Sequence, residues 1–307
     1  MRSTLGRACV LTHGGVTNSL NVVDGCQAAC TAARDALRRG ESALDAAVAA
    51  VIVLEDDPRM NAGTGSVIRL DSPPDRLSAQ MDASVMDTRG FGAVAVVEDI
   101  RNPVKLARAV YESPHRVLAG TGAMELADRL QHQRADPVTD EQRQRHEARV
   151  HRLRTDPVFQ RMWSQLPTSY WKATAGEAPT DTVGAVVRDT HGNFAAASST
   201  GGLWCAIRGR VGDVPIAGAG LWVGPRGAVT ATGVGEVICE EMVSLRIHDL
   251  FSGERSTQSA VDEVVARVRE RHPEADLGVI ALDATTHATS ATGPMPWATW
   301  VEDSDPI

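Results

Sequence analysis

The stretch Asp181-Thr182-Val183-Gly184-Ala185-Val186 puts a threonine hydroxyl at the start of an apolar, strand-like segment, directly after a polar and irregular stretch. A threonine hydroxyl is a weak nucleophile unless a base lies beside it. If the chain is cut before Thr182, the new α-amine can take the proton, because its pKa is about 7.7 to 8.0. The same hydroxyl can make that cut by attacking the Asp181 carbonyl, provided that the backbone there is strained. Thr182 is therefore a candidate nucleophile that cleaves its own chain.

Three other short motifs carry groups that could bind or stabilise a reacting molecule. Arg210 and Asp213 lie three positions apart in a glycine-rich loop. On spacing alone, a surface ion pair and a pair of ligand-binding charges are equally good interpretations. Thr232-Gly233 precedes a helical segment and by itself indicates a cap or a turn. Thr200, before Gly201-Gly202, by itself indicates a turn.

Taken together and in order, these motifs resemble those of the plant-type asparaginases and isoaspartyl peptidases, a family of N-terminal-nucleophile hydrolases. The resemblance extends along nearly the whole chain, which makes it far more specific than a single motif. The matching stretches are His13-Gly14-Gly15, Asn61-Ala62-Gly63, Met81 to Met86, Arg101 to Val104, Asp181 to Val186, Ser199 to Gly202, Gly209 to Asp213 and Thr232 to Glu236.

The resemblance implies a role for each candidate side chain. Arg210 is expected to bind the substrate α-carboxylate, for which a guanidinium offers two parallel donors, and Asp213 the α-ammonium. Thr232 and Gly233 are expected to supply a hydroxyl and a backbone N–H to the oxyanion of the tetrahedral intermediate. Thr200 is expected to hydrogen-bond the nucleophile. The implied reaction is hydrolysis of β-aspartyl amides, namely isoaspartyl dipeptides and L-asparagine, through an acyl-enzyme that releases L-aspartate.

Further roles are implied for the first half of the chain. The loop His13-Gly14-Gly15 resembles one that governs strain at the bond between Asp181 and Thr182, and Asn61 resembles a residue that contacts the amine of the nucleophile. No cofactor is expected to be required, but the stretch Glu55 to Thr64 resembles a loop whose backbone carbonyls hold a structural sodium ion. Its implied ligands are the backbone carbonyls of Leu54, Glu55, Asp57, Met60, Ala62 and Thr64.

Two residues depart from the family pattern. Val16 follows the glycine pair where many relatives keep a small residue, and its β-branched side chain is expected to restrict the loop and slow self-cleavage. Asp181 stands where the asparaginase branch usually has glycine and the aspartylglucosaminidase branch has aspartate. Hydrolysis of glycosylated asparagine is therefore the alternative activity. An uncleaved, inactive binding or scaffold protein is the alternative from another class.

Other enzyme classes find little support. The glycine pairs Gly63-Thr64-Gly65 and Gly218-Ala219-Gly220 do not continue into a dinucleotide-binding fingerprint. The sequence has no G-x-S-x-G nucleophile elbow and no H-E-x-x-H metal motif. His146 and His151 are five apart, a spacing that does not put two metal ligands on one helix face.

The elements that must position these residues form two sets. The first half predicts a strand at Cys9–Thr12 and two alanine-rich helices at Asp24–Arg38 and Ser42–Leu54, each opened by a capping residue. Further predicted elements there are strands at Ser66–Leu70, Ala83–Met86 and Gly92–Val97, a helix starting at Pro103 and a helix at Ala123–Leu130. Residues 131–180 are polar and lack an apolar period, so we expect a flexible linker in which Asp140–Arg154 could form a solvated helix.

The second half repeats the pattern. Its predicted strands are Val183–Arg188, Phe194–Ser199, Gly220–Val223, Ala228–Ala231 and Gly278–Leu282, and its helices Glu236–Phe251 and Ser259–His272. Two sets of strands with helices predict an α+β fold, a four-layer αββα sandwich of the N-terminal-nucleophile hydrolase type. Self-cleavage would divide this single domain into an α subunit, residues 1–181, and a β subunit, residues 182–307.

Composition limits the partners and the compartment. The net charge of −8, without a long basic block, argues against nucleic acid as a partner. The apolar stretch after Arg7 is shorter than a signal-peptide core, and no window approaches the length of a membrane span. Five cysteines are too few for a disulfide framework, and Cys26 and Cys30 are expected to be buried thiols in a cytoplasmic protein. The family resemblance implies a dimer of cleaved αβ units and a small-molecule or dipeptide substrate.

Overall fold

A computed structural model of the chain describes residues 7–16, 21–157, 182–204, 206–251 and 255–302. It is a mixed α/β protein with two β-sheets. Asp181 and residues 158–180 of the predicted linker lie outside the described residues. The helices are α1 Val23–Arg38, α2 Ala43–Asp56, α3 Pro103–Glu112, α4 Gly120–Arg129, α5 Asp140–Thr155, α6 Gly235–Glu241, α7 Val243–Leu250 and α8 Thr257–Arg271. The strands are β1 Cys9–His13, β2 Met81–Asp87, β3 Gly90–Val97, β4 Val117–Ala119, β5 Val183–Arg188, β6 Phe194–Thr200, β7 Leu221–Gly224, β8 Gly227–Gly233, β9 Leu277–Asp283, β10 His287–Ala291 and β11 Trp297–Val301.

The larger sheet has the strand order β11-β1-β5-β6-β2-β3-β4, so β5 lies in its interior. This strand is antiparallel to both neighbours. Its register pairs Gly184 with His13 on β1 and Val183 with Ser199 on β6. The start of β5, the end of β1 and the end of β6 therefore meet at one end of the sheet.

Strand β5 is apolar on both faces because each face is covered by a different layer. Val183, Ala185 and Val187 belong to a core shared with the helices α1, α2 and α3. Val186 belongs to a second core, shared with residues of the smaller sheet such as Leu221. The alternation follows from the period of two along a strand, and it explains the continuous apolar run in the sequence.

The smaller sheet has the order β10-β9-β8-β7 and is antiparallel throughout. One face contributes Ala228, Ile280 and Leu282 to the core shared with the larger sheet. The other contributes Val229 and Ala231 to a third core, which contains apolar residues of α6, α7 and α8.

Several elements differ from those that the sequence predicts. The single helix predicted at Glu236–Phe251 is divided at Met242, which adopts a left-handed conformation with φ of 47°. The segment Ser66–Leu70 is buried but forms no strand, because its N–H groups bond to loops: Val67 N–H donates to Asn61 Oδ1 and Leu70 N–H to the Ala206 carbonyl. Strands β4, β10 and β11 are additional to the prediction, being short segments at or near sheet edges.

The polar helix α5 packs more closely than a solvated helix would. Its first turn is capped by Thr139, whose hydroxyl accepts from Gln142 N–H at 3.2 Å. The buried Gln142 amide donates to the Gly65 carbonyl at 2.9 Å. At the other end, the Arg149 guanidinium lies 5.0 Å from the ring centroid of Trp204. This part of the predicted linker thus contacts two loops of the domain.

Two smaller findings bear on the sequence predictions. Cys26 and Cys30 are buried thiols, as predicted, and the Cys30 sulfur lies 3.4 Å from the Thr12 hydroxyl. Within the described ranges, no helix is long and apolar enough to cross a membrane.

The contact between β1 and β5 can be tested by substituting Gly184, because a Cβ there would lie 2.4 Å from His13 Nε2 and 3.1 Å from Ser198 Oγ. Both neighbours are fully buried, so Gly184→Ala should lower the free energy of unfolding by about 1 to 3 kcal/mol, measured by chemical denaturation. Gly122→Ala on α4 is the matched control, since a Cβ there meets nothing within 4 Å. Equal stability of the two variants would contradict the packing of His13 on Gly184.

Candidate active site

Thr182 immediately precedes β5 and is 5% exposed. Because Val183 pairs with Ser199, Thr182 lies opposite the end of β6, where Thr200 is located. The Thr182 hydroxyl donates a hydrogen bond to Thr200 Oγ1 at 3.2 Å. Thr200 Oγ1 also accepts from Gly202 N–H at 3.0 Å. The two hydroxyls that the resemblance associates are thus brought into direct contact by strand pairing.

Asn61 fixes the loop that follows Thr200. Its side-chain amide donates to the Gly202 carbonyl at 2.7 Å, its Oδ1 accepts from Val67 N–H at 3.0 Å, and its own carbonyl accepts from Gly201 N–H at 2.7 Å. A Cβ on Gly201 would lie 2.2 Å from Asn61 Oδ1, so the position requires glycine. In the intact chain Asn61 acts on the Gly201-Gly202 loop, and its expected contact with a free Thr182 amine stays a prediction.

His13 lies beside the backbone of the candidate nucleophile. Its ring packs against Gly184 and is fully buried. Burial lowers the pKa of His13 to about 3, and the Thr182 backbone opposes this shift. The imidazole is therefore neutral at physiological pH, and its role in this arrangement is packing beside Thr182 rather than charge.

The glycine loop after His13 links the two sheets. Gly14 N–H donates to the Pro296 carbonyl at 3.0 Å, and Gly15 has a φ of 93°. Val16 is buried, and a Cβ on Gly278 of β9 would lie 2.8 Å from its Cγ2. Val16 therefore fills the space beside Gly278, and its expected effect on self-cleavage stays a prediction.

Thr232 and Gly233 end strand β8 and are held from the side of β9. The register pairs Thr232 with Gly278, whose Cβ, if present, would lie 3.1 Å from Thr232 Cγ2. Gly233 has a φ of 137°, and a Cβ there would lie 2.1 Å from the Asp276 carbonyl oxygen. The backbone at this turn is thus available only to glycine. Strand β5 packs against β8 and β9. His13 lies beside Gly184 of β5, and Val16 lies beside Gly278, the residue that pairs with Thr232. Thr182 and Thr232 therefore belong to the same end of the paired sheets.

Arg210 and Asp213 do not form the surface ion pair that their spacing allows. The Arg210 guanidinium instead pairs with Glu236, through Nε to Oε1 at 3.1 Å and Nη2 to Oε2 at 2.9 Å. Asp213 is 3% exposed, and its Oδ2 has no hydrogen-bond partner among the described residues. Both side chains flank Gly235, where a Cβ would lie 2.6 Å from Arg210 Nη2 and 2.9 Å from Asp213 Oδ1. A buried carboxylate with a vacant acceptor, next to a guanidinium, is suited to a ligand that carries an ammonium group.

Glu236 is a residue of this cluster that the sequence interpretation missed. It lies in the matching stretch Thr232 to Glu236, but no role was attached to it. The available signal was an acidic residue directly after Gly235, at the start of a helix that follows the predicted oxyanion turn.

The electrostatics of the cluster favour an uncharged Asp213 at low pH. Burial raises the pKa of Asp213 to about 7, the Arg210 charge opposes this, and Glu236 and Asp82 add to it. For Arg210, burial lowers the pKa, but the Glu236 carboxylate outweighs burial and holds it above the usual value. Arg210 is therefore always charged, whereas Asp213 titrates near neutrality.

Strand β2 and the residue before it hold the loop that carries Arg210 and Asp213. Asp82 is fully buried; its Oδ2 accepts from Gly212 N–H at 3.2 Å and its Oδ1 from Val96 N–H at 2.8 Å. Gln80 Oε1 accepts from Gly209 N–H at 2.7 Å. Asp82, in the matching stretch Met81 to Met86, therefore holds the backbone of this loop through its side chain.

The carbonyl-rich loop after α2 is tightly folded around two glycines. The carbonyls of Pro58 and Met60 lie 2.3 Å and 2.6 Å from the position of a Cβ on Gly65. The Glu55 carbonyl approaches Gly63 in the same way and accepts from Thr64 N–H at 2.8 Å. The Glu55 side chain is fully buried, accepts from Val104 N–H at 3.0 Å, and has a pKa raised by burial to about 8. The loop thus brings the Pro58 and Met60 carbonyls beside Gly65 and the Glu55 carbonyl beside Gly63, and the sodium ligands that the resemblance implies stay a prediction.

Comparison with known proteins gives consistent matches over nearly the whole chain. The family model described as "Asparaginase" matches residues 6–305. A plant-type L-asparaginase from Pyrobaculum calidifontis is 39% identical over 285 residues, covering 90% of this chain and 90% of the relative. An isoaspartyl peptidase/L-asparaginase from Macaca fascicularis is 34% identical over 302 residues, with 94% and 92% covered, and one from Homo sapiens is 34% identical with the same coverage.

Proposed function

Because the chain belongs to the asparaginase family, we propose that it is a hydrolase of β-aspartyl amides, acting on L-asparagine and isoaspartyl dipeptides. The observation that carries this proposal is the hydrogen bond between the hydroxyls of Thr182 and Thr200 at the start of β5. Arg210 and the Asp213 carboxyl, whose Oδ2 has no hydrogen-bond partner among the described residues, add a pair of opposite charges suited to the α-carboxylate and α-ammonium of an aspartyl group.

Maturation precedes catalysis in this proposal. The Thr182 hydroxyl attacks the Asp181 carbonyl carbon, the peptide C–N bond breaks, and the Thr182 nitrogen takes a proton to become an amine. Water then hydrolyses the ester, which leaves the Asp181 carboxylate on residues 1–181 and a free Thr182 hydroxyl on residues 182–307. The close packing of His13 and Gly184 next to Thr182 supports such a reaction, because it restricts the backbone beside the reacting bond.

The same hydroxyl then attacks the substrate. The Thr182 amine accepts the hydroxyl proton, and Oγ1 bonds to the β-carbonyl carbon. Thr232 Oγ1 and Gly233 N–H stabilise the oxyanion, an arrangement in which the loss of one donor typically costs about 10²- to 10³-fold in rate. The amine or ammonia leaves with the proton, and water, deprotonated by the same amine, releases L-aspartate from the acyl-enzyme.

We also propose the four-layer αββα arrangement for the whole domain. Three apolar cores support it: one between α1 to α3 and the larger sheet, one between the sheets, and one between the smaller sheet and α6 to α8. Cleavage before Thr182 would then cut a connection without separating layers, since β5 stays paired with β1 and β6. The products are an α subunit, residues 1–181, and a β subunit, residues 182–307.

Three further features are part of the proposal. The loop Glu55 to Thr64 holds a structural sodium ion through backbone carbonyls; the Glu55 carbonyl lies beside Gly63 and the Met60 carbonyl beside Gly65. The cleaved units associate as a dimer. The enzyme works in the cytoplasm, in keeping with the free thiols of Cys9, Cys26, Cys30 and Cys239.

Hydrolysis of glycosylated asparagine is the second candidate activity, and Asp181 is the residue that favours it. Arg210 and Asp213 serve both activities equally, since both substrates present the same aspartyl group. The leaving group alone distinguishes them, and binding residues of this kind commonly lie in loops.

Self-cleavage is the most direct test of Thr182. On denaturing electrophoresis the wild-type chain should give two fragments, the second beginning at Thr182 by mass spectrometry. Thr182→Ala should stay intact and inactive because it lacks the attacking oxygen, whereas Thr182→Ser should still cleave. Processing of Thr182→Ala would show that another group is the nucleophile, and an intact wild-type chain would favour the inactive scaffold protein.

The raised pKa of Asp213 predicts how KM depends on pH. A carboxyl with a pKa of about 7 is neutral below that pH and no longer attracts the substrate ammonium, so KM for L-asparagine should rise as the pH falls through about 7. The α-amine of Thr182 should instead determine the pH dependence of kcat, because it acts after the substrate has bound. Asp213→Asn should show a high KM that does not vary with pH. A wild-type KM that is constant between about pH 5 and 8 would contradict the assignment of Asp213.

A panel of substrates separates the two activities. Cleaved protein should release L-aspartate from isoaspartyl dipeptides and L-asparagine with larger kcat/KM than from glycosylated asparagine. Higher kcat/KM for the glycosylated compound would instead support the activity that Asp181 favours.

A further inference from the structure

The Arg210 guanidinium has two edges that can each bind a carboxylate with two hydrogen bonds. Glu236 occupies the edge formed by Nε and Nη2, at 3.1 Å and 2.9 Å. The Nη1–Nη2 edge has no carboxylate partner among the described residues. The Arg210 side chain is 14% exposed, so part of it is within reach of a ligand. The ion pair therefore leaves one complete binding edge available.

We propose that Glu236 is a positioning residue for substrate recognition, which holds one edge of Arg210 so that the other edge meets the substrate α-carboxylate. This inference rests on the proposed function, since it concerns the same aspartyl site.

Without Glu236, the Arg210 guanidinium would lie beside two buried carboxylates, Asp82 and Asp213, and both attract its charge. Arg210 Nη2 and Asp213 Oδ1 flank Gly235, at 2.6 Å and 2.9 Å from the position of its missing Cβ. No carboxylate would then fix the Nε–Nη2 edge, and the Nη1–Nη2 edge would lose its orientation. The two hydrogen bonds to Glu236 set this orientation before a ligand binds.

Glu236 also acts on the titration of Asp213. The charged groups that influence Asp213 are Arg210 on its own loop, Glu236 on α6 and Asp82 on β2, and burial together with the Asp213 charge raises the pKa of the Cys239 thiol of α6. Among these charged groups, Arg210 favours the charged carboxylate, as does the backbone N–H of Asp213 itself. Removing the charge of Glu236 leaves the Arg210 charge uncompensated, so Asp213 should ionise at a lower pH.

The first test compares Glu236→Gln with Glu240→Gln, which removes the same charge from an exposed position on the same helix. Glutamine has nearly the same shape as glutamate but presents an N–H₂ group to one of the Arg210 donors. Glu236→Gln should raise KM for L-asparagine about tenfold, equivalent to about 1.4 kcal/mol, with kcat changed much less. The rise of KM at acidic pH should also begin at a lower pH than in the wild type. Glu240→Gln should match the wild type in both measurements.

The second test changes the ligand instead of the protein. Calorimetric titration of the cleaved enzyme would measure Kd for L-aspartate, for succinate, which lacks the α-ammonium, and for β-alanine, which lacks the α-carboxylate. Glu236→Gln should weaken L-aspartate and succinate about tenfold and leave β-alanine unchanged, because only the first two use the free edge of Arg210. Thermal unfolding of both variants checks that each is folded.

Each result decides one hypothesis. Equal weakening of β-alanine and L-aspartate would mean that Glu236 only maintains the fold, and unchanged L-aspartate binding would mean that Arg210 needs no positioning; either overturns the inference. Wild-type protein that binds L-aspartate but hydrolyses no β-aspartyl amide would refute the proposed function, while the ratio of Kd values would still test Glu236.

Discussion

The position of Thr182 depends on the pairing of β5 with strands on both sides. β1 sets one register, with Gly184 opposite His13, and β6 sets the other, with Val183 opposite Ser199. A slip by one residue would turn every β5 side chain to the opposite face, which would move Val183, Ala185 and Val187 out of the helix-facing core. It would also separate Thr182 from Thr200. Two apolar cores therefore determine the location of a single hydroxyl.

The recognition end of the site depends on a different constraint, the cost of burying charge. Asp213 is buried with an unsatisfied oxygen, an arrangement that destabilises the free protein. In the proposed function, the substrate ammonium supplies the missing partner, and the same oxygen disfavours ligands that lack an ammonium group. Burial raises the pKa of Asp213, Arg210 opposes this shift, and the negative charges of Glu236 and Asp82 add to it. We propose that these four charged side chains together favour the binding of a zwitterion.

The sequence predicted the parts of this arrangement that depend on local pattern or on motif order. The helices α1, α2 and α3 and the strands β5 to β9 follow from apolar period, together with the Ser42 cap of α2 and the proline at the start of α3. The cap predicted at Asp24 is wrong, because α1 starts at Val23 and Asp24 lies inside its first turn. Thr200 and Thr182 were associated through the family resemblance. The division of a helix at Met242 could not be predicted, because methionine has no preference for the left-handed conformation that it adopts there. Glu236 was missed because an acidic residue in a first helical turn usually has a local role, whereas its partner Arg210 is distant in sequence. The segment Ser66–Leu70 looked like a strand, since apolar burial alone does not reveal whether N–H groups bond to a neighbouring strand or to loops.

The proposed cut before Thr182 would place most of the candidate site residues in one subunit and the residues that support them in the other. Thr182, Thr200, Arg210, Asp213, Thr232 and Glu236 all belong to residues 182–307. Residues 1–181 contribute the supports: His13 packs on Gly184, Asn61 holds Gly201 and Gly202, and Asp82 holds Gly212. These contacts reach buried backbone groups, and none of them passes through the bond that is cut. Cleavage can therefore free the amine of Thr182 while leaving the side chains that surround the substrate in place, which is what a nucleophile that matures inside its finished site requires.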